Sequence, residues 1–351
     1  MKVLLLGEYS GFYKNLATGL KEFGVEVTWY CNGDSFKKIS GNTGRLLSES
    51  RNFIIRNIQN FSFRKSLQDY DIVSMIDLRI WGVVLSVPMV NYIIKNNTKV
   101  YASMAGDSSF YYDSWLKSYV PYSPFLDNPQ LASIFDGKSL ASKLLRKTEL
   151  YNATRVDGLI PIMNEYRIGV KNYSNLKPTI PLPVDTKMIK YKPNKIRDKI
   201  VIFHGLNREN SKGTSYIREA MNIIKERYQD DVEIIIDGNM PLDKYLKVIE
   251  KANIIIDQCK ATGWGMNACY SMAQGKIVLA GASKETLDDF GLKNCPIRQI
   301  KPDVKTIVDA LEDLVRNRNM IEQYGDESRK FVEEFHDSRK VAKQYLECWK
   351  N

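Results

Sequence analysis

The chain has 351 residues, 44% hydrophobic and 26% charged, a composition of globular proteins and long enough for two domains with separate cores. No stretch approaches the roughly 20 apolar residues of a membrane span, and with only two histidines, His204 and His336, a histidine-rich metal site is excluded. Five cysteines, at positions 31, 259, 269, 295 and 348, show no paired metal spacing and read as reduced thiols of a cytoplasmic protein.

The start, Met1-Lys-Val-Leu-Leu-Leu-Gly7, is too short for a signal peptide and runs straight into a strand pattern. Net charge is +10, unevenly spread: 22 Lys and Arg against 15 Asp and Glu lie up to Val184, and 29 against 26 from Asp185 onward. The basic first half suits an anionic neighbour, with solubility alone as the plainer reading.

Lys2–Leu6 is predicted as a buried strand, Gly7–Gly11 as a glycine-bounded turn and Phe12–Phe23 as a helix, with Leu16 and Leu20 on one face. Val25–Tyr30 is the next strand. The turn lacks the G-x-G-x-x-G pattern, so a nicotinamide cofactor is not expected. From Asn42 to Leu67, Arg45, Arg51, Arg56, Arg64 and Lys65 alternate with large apolar residues. That pattern fits a helix packed on a sheet with its arginines in water. It also fits a basic helix lying on an anionic bilayer, which makes peripheral membrane contact the alternative expectation.

Asp71–Ile76 is predicted as a strand, Met89–Asn96 as a helix and Lys99–Ala102 as a strand. Phe110–Phe125 reads as an irregular surface loop, Ser139–Asn152 as a basic helix, Gly158–Pro161 as a strand and Asn164–Val170 as a short helix. The proline-rich stretch that follows has no apolar period. The expected division is a first domain over 1–180, a connection over 181–198, a second domain over 199–337 and a final helix over 338–351.

In the second domain the strands Lys199–Phe203, Val232–Ile236, Ile254–Ile256 and Lys276–Ala280 alternate with helical patterns, which argues for a parallel sheet covered on both faces. Ligands of such sheets bind at the carboxyl ends of the strands. Arg208 and Lys212 fall there, suited to a diphosphate. So does Thr262-Gly-Trp-Gly-Met-Asn267, whose glycines let backbone approach a ligand ahead of a helix start. His204 reads either as a phosphate contact or as a satisfied histidine at a strand end.

These residues resemble the nucleotide-sugar glycosyltransferases of the GT-B fold, in particular the large retaining bacterial family related to glycogen and sucrose synthases. The likeness lies in Asn207-Arg208…Lys212-Gly213, Ala252–Gln258, Gly263–Ala268 and Met272–Val278, and in the opening Leu5–Leu16. It implies an α/β fold of two Rossmann-like domains facing a cleft, with the last helix crossing back to the first. It implies donor contacts from Gly7, Gly11, Asn207, Arg208, Lys212, Gly238, Asn239, Met240, Pro241, Asp257, Gln258, Gly263, Trp264, Gly265, Met266, Asn267 and Tyr270. Acceptor-side residues are Glu8, Tyr9, Ser10 and Asp77, and the catalytic set is Asp107, Arg208 and Lys212.

Thr262 and Tyr270 stand where the family carries a pair of glutamates. With only two histidines in the chain, neither metal nor cofactor is expected. The implied partners are a nucleotide sugar, most simply uridine-linked, and a glycan or lipid-linked acceptor, at the cytoplasmic face of a membrane. A catalytically weakened or non-catalytic sugar-nucleotide-binding protein is the alternative. Nucleic-acid binding has only charge to support it.

Overall fold

The computed structural model describes residues 1–350 apart from Asn207 and Asn239, with Phe36 and Leu242 described by backbone alone. The chain divides into two compact units. One comprises Met1–Ser114, Gln130–Pro183 and Ser338–Asn351, the other Trp115–Pro129 and Val184–Asp337.

Unit 1 carries β1 (Lys2–Leu6), α1 (Phe12–Lys21), β2 (Glu26–Tyr30), α2 (Phe53–Ser62), β3 (Ile72–Met75), α3 (Gly82–Asn96) and β4 (Lys99–Met104). Then come α4 (Ser109–Leu116) and α5 (Pro129–Phe135), which adjoin the Trp115–Pro129 segment of unit 2, and α6 (Leu140–Ala153), β5 (Gly158–Pro161) and α7 (Asn164–Gly169). Its sheet is wholly parallel, in the order β2-β1-β3-β4-β5. Buried on both faces, its strands are near-continuous apolar runs such as Val3–Leu6.

Unit 2 repeats the plan. It holds β6 (Ile200–Gly205), α8 (Glu209–Lys212), α9 (Thr214–Arg227), β7 (Val232–Asp237), α10 (Leu242–Lys251), β8 (Ile254–Ile256) and α11 (Met266–Ala273). These are followed by β9 (Ile277–Ala280), α12 (Lys284–Asp289), β10 (Arg298–Gln299), α13 (Val304–Arg316) and α14 (Ile321–Phe331). The order is β10-β9-β8-β6-β7, again all parallel. In each sheet the winding reverses once, between the first and third strands of the unit. A crevice opens at such a reversal, at the carboxyl ends of those strands.

The last helix, α15 (Ser338–Lys350), belongs to unit 1 and packs on α1. Val341, Ala342, Tyr345 and Trp349 are buried there.

Four readings differ from the sequence. Phe110–Phe125 is not a loop throughout: α4 forms because Phe110, Tyr111 and Tyr112 are buried, and apolar burial overrides the irregular composition. Trp115–Pro129, expected in the first domain, belongs to unit 2, where Asp127 meets Lys260 and accepts from the Tyr216 hydroxyl. The stretch 184–198, expected as a connection, belongs to unit 2 as a strap. Asn194 and Asn253 exchange hydrogen bonds, and Arg329 donates to the carbonyls of Thr186, Ile189 and Ala273.

The fourth concerns α2. It does not bury its apolar face: Phe53, Ile54, Ile55, Ile58 and Phe61 are all exposed, and the helix's buried residue is Asn60.

Gly19 lies where α1 meets the start of α15. A Cβ there would fall inside contact distance of the Ser338 carbonyl. Gly19→Ala should therefore destabilise unit 1 by about 1–3 kcal/mol, the usual cost of overpacking. Denaturant unfolding reads this, and an unchanged midpoint would show that the helices can separate freely.

Candidate functional site

In unit 2 the crevice is spanned by a buried ion pair. Lys212 Nζ donates to Asp257 Oδ1 at 2.9 Å, and the two side chains are 12% and 3% exposed. Lys212 sits at the end of α8, beyond β6, and Asp257 directly follows β8. Asn267, in the first turn of α11, donates from Nδ2 to the same Asp257 oxygen at 2.7 Å. Its own Oδ1 accepts from the buried Tyr245 hydroxyl. Three residues singled out from the sequence thus form one connected group.

Local backbone holds this geometry. Gly213 takes φ +77, and a Cβ there would collide with Cys259 Sγ, so the turn from α8 into α9 requires glycine. The Cys259 amide donates to the Lys212 carbonyl at 2.9 Å. Below them His204 is fully buried, with Nδ1 2.8 Å from the Ile256 carbonyl and Nε2 2.9 Å from the Thr214 hydroxyl. A carbonyl only accepts, so Nδ1 carries the proton. Burial, and then the Lys212 charge, push the His204 pKa down to about 4. Of its two sequence readings, the satisfied histidine is the one the structure shows.

The rest of the set is placed as follows. Arg208 is exposed and takes a left-handed φ of 62° at the start of α8. Gly238 passes close to Leu206, Met240 and Pro241 are half-buried ahead of α10, and Gln258 is half-buried beside Asp257. Gly263 and Met266 are buried and Gly265 half-buried around the start of α11. Asn207 and Asn239 lie outside the described residues. Thr262 and Tyr270 are buried, and the Thr262 carbonyl accepts from the Thr286 hydroxyl and the Ser283 amide.

The Trp264 side chain is taken up in the aromatic core of unit 2. Its indole is buried, donates to His336 Nε2 at 3.0 Å and packs against Phe290 and Phe331. Only its backbone is left to line the strand edge, because the aromatic core has claimed the ring.

In unit 1 the corresponding crevice also has a polar bridge. The Tyr9 hydroxyl donates to Asp77 Oδ2 at 2.8 Å. Asp77 takes a forked contact from Arg79, at 3.0 Å from Nε and 2.8 Å from the terminal nitrogen. Arg79 also donates to the Asp107 carbonyl at 2.8 Å and pairs with buried Glu149 at 3.0 Å. Glu149 accepts from the Ser109 amide at 2.9 Å and from its hydroxyl. A cavity of about 20 Å³ lies among Asp77, Arg79, Ser103, Ser108, Glu149 and Tyr166.

Sequence reasoning missed Arg79 and Glu149. Their signals were an arginine two residues after a strand-end aspartate, and polar residues at the buried spacing Glu149, Asn152 in a helix. Ser10 donates its amide to Asp34 and accepts from Lys37. Gly7 and Gly11 bound the turn with positive φ. Glu8 is buried and its Oε2 accepts from the Lys14 amide at 3.0 Å. Burial, with the Asp34 charge adding to it, raises its pKa to about 7.

The whole chain superposes on solved structures at low identity. Sucrose-phosphate synthase from Thermosynechococcus elongatus matches at TM-score 0.67 and 13% identity, over 100% of this chain and 98% of that one. HepE from Anabaena, in complex with UDP-glucose, matches at 0.64 and 12% identity, over 99% and 98%. The fold is GT-B. A mutant of TarM from S. aureus, solved with fondaparinux, α-GlcNAc-glycerol and UDP, matches at 0.57 and 15% identity, over 83% of this chain and 58% of that one. No family model matches the sequence. No curated protein matches it either.

The buried groups of the two GT-B units titrate in opposite senses. His204 is held neutral, so the unfolded chain takes up a proton first as pH falls below about 6.5. Unit 2 then loses stability until about pH 4. Glu8 is held protonated, so its contribution is complete below pH 4.5 and lost as pH rises through about 7. Hydrogen exchange of core amides, corrected for intrinsic rates, should show acidification from pH 8 to 5 stabilising unit 1 and destabilising unit 2. Glu8→Gln should weaken the first trend, by on the order of 2–3 kcal/mol, and leave the second unchanged; burial also raises the Glu149 carboxyl, which keeps a remainder of the first. Parallel trends in both units would contradict these assignments.

Proposed function

We propose that this protein transfers a sugar from a nucleotide sugar, uridine-linked, to a glycan or lipid-linked saccharide acceptor of a surface polysaccharide. Retention of configuration and independence of metal are part of the same reading. The observation that carries it is the Lys212–Asp257–Asn267 group, at the reversal point of unit 2 and beside the start of α11. HepE with UDP-glucose and TarM with UDP, which share the fold, support the choice of donor.

Lys212 supplies the positive charge for the donor diphosphate. An ammonium has three donors and Asp257 takes one, which orients the others. Exposed Arg208 adds a planar fork, and the free amides at the start of α11 a further set of donors. In the reaction the acceptor hydroxyl attacks the anomeric carbon on the face from which the diphosphate leaves. Its proton passes to the departing phosphate oxygen, and no enzyme nucleophile is needed. Lys212 and Arg208 stabilise the charge that grows on the leaving group, which is electrostatic catalysis by preorganised donors. Tyr9, Asp77, Glu8 and Ser10 form the acceptor side, and Asp107 is held next to them through its carbonyl.

The ion pair dictates how to test this. Lys212→Ala would strand a buried carboxylate and destabilise the fold, whereas Lys212→Gln still offers Asp257 a hydrogen bond. Lys212→Gln and Arg208→Gln should each weaken UDP binding by about 10- to 100-fold in calorimetry, the cost of one charge-assisted contact. Arg208→Gln should leave the ligand-free melting temperature unchanged. Product formation from a panel of UDP-sugars, with EDTA present, separates transfer from binding alone. Wild-type UDP affinity in both variants would place the diphosphate elsewhere.

A further inference from the structure

Helix α2 wears its amphipathic pattern inside out. Phe53, Ile54, Ile55, Ile58 and Phe61 are 39–67% exposed. The side turned to the protein is polar: Asn60 is buried and its Oδ1 accepts from the Ser48 amide at 2.7 Å. The helix is well formed, with Asn52 capping the amides of Ile54 and Ile55. A stable helix that presents five large apolar side chains to solvent marks a surface for something else.

Charge says what covers it. Arg51, Arg56 and Lys65 are exposed around the apolar row, and Arg64 lies over the Phe61 ring at 3.9 Å. No acidic residue occurs between Glu49 and Asp69. A second copy of the same face would set these cations against their own equivalents, because a two-fold contact pairs a patch with itself. An anionic bilayer satisfies both halves: the apolar row enters the headgroup–acyl boundary and the arginines reach phosphates.

Neighbouring helices extend the surface. α3 touches α2 and packs on α6. Val83 and Val84 at the start of α3, and Leu140 and Leu144 at the start of α6, are 37–74% exposed, and Lys143 and Lys147 stand among the latter. Both helices lead back to the next parallel strand, so their starts lie at the strand-end edge that carries Asp77 and Asp107.

We propose that unit 1 docks on an anionic phospholipid surface through α2, with the starts of α3 and α6 as the flanking contact. If the acceptor reading above is right, and only that extension rests on it, a lipid-linked acceptor would reach the acceptor edge from the bilayer on which the protein sits.

Co-sedimentation with vesicles tests the docking without any donor. The chain should pellet with vesicles of phosphatidylcholine plus phosphatidylglycerol at low ionic strength, and much less with phosphatidylcholine alone. Binding should fall by at least about tenfold in high salt, in Arg51→Gln/Arg56→Gln and in Ile54→Asn/Ile58→Asn. These side chains are exposed, so melting temperature and UDP affinity should stay at wild-type values, which separates a failure here from a failure of the donor site. Three outcomes overturn the proposal: no pelleting with anionic vesicles, equal pelleting with neutral ones, or a wild-type dimer in light scattering that Ile54→Asn/Ile58→Asn converts to monomer.

Discussion

Each sheet of this protein reverses its direction of winding once, and the site residues follow from that. Loops leaving neighbouring strands diverge at the reversal, and the gap they leave has no helix to fill it. Side chains with partners of their own must bridge it. In unit 2 the bridge is Lys212 to Asp257, and in unit 1 it is Tyr9 to Asp77. The two bridges correspond, each joining a residue beyond the unit's first strand to an aspartate just past its third.

The polar groups around these bridges are expensive to bury, and Arg79 and His204 are each held by several partners. Arg79 answers two carboxylates and a carbonyl. His204 is tied on both ring nitrogens, between the end of β8 and the start of α9. A half-satisfied network would be worse than an apolar one, so these residues are fixed before any ligand arrives. Donors fixed in advance are what the proposed stabilisation of a leaving diphosphate needs.

The surface of unit 1 follows a different logic. Packing explains Gly19, Tyr345 and Trp349, where α15 closes over α1. It does not explain α2, whose polar side is inward and whose apolar side is bare. The same residues that would ordinarily contribute to a core are here available to an outside surface. Arginines around them restrict what that surface can be.

Most of the secondary structure, and much of the unit 2 site, was legible in the sequence. Apolar runs bounded by glycine and polar turns mark the strands, and the alternation of strand and helix fixes a parallel sheet whose carboxyl edge gathers Arg208, Lys212, Asp257 and Asn267. Periodicity could not supply the partners across that edge. Arg79 meets Glu149, and Trp264 meets His336, about seventy positions away along the chain. Such pairings depend on which strands become neighbours. The same limit hid the place of Trp115–Pro129, whose anchor is an ion pair with Lys260. Pattern also shows that a helix has an apolar side without showing whether anything covers it. In α2 only the tertiary structure decided that, because Asn60 found its partner in Ser48 and turned the isoleucines outward.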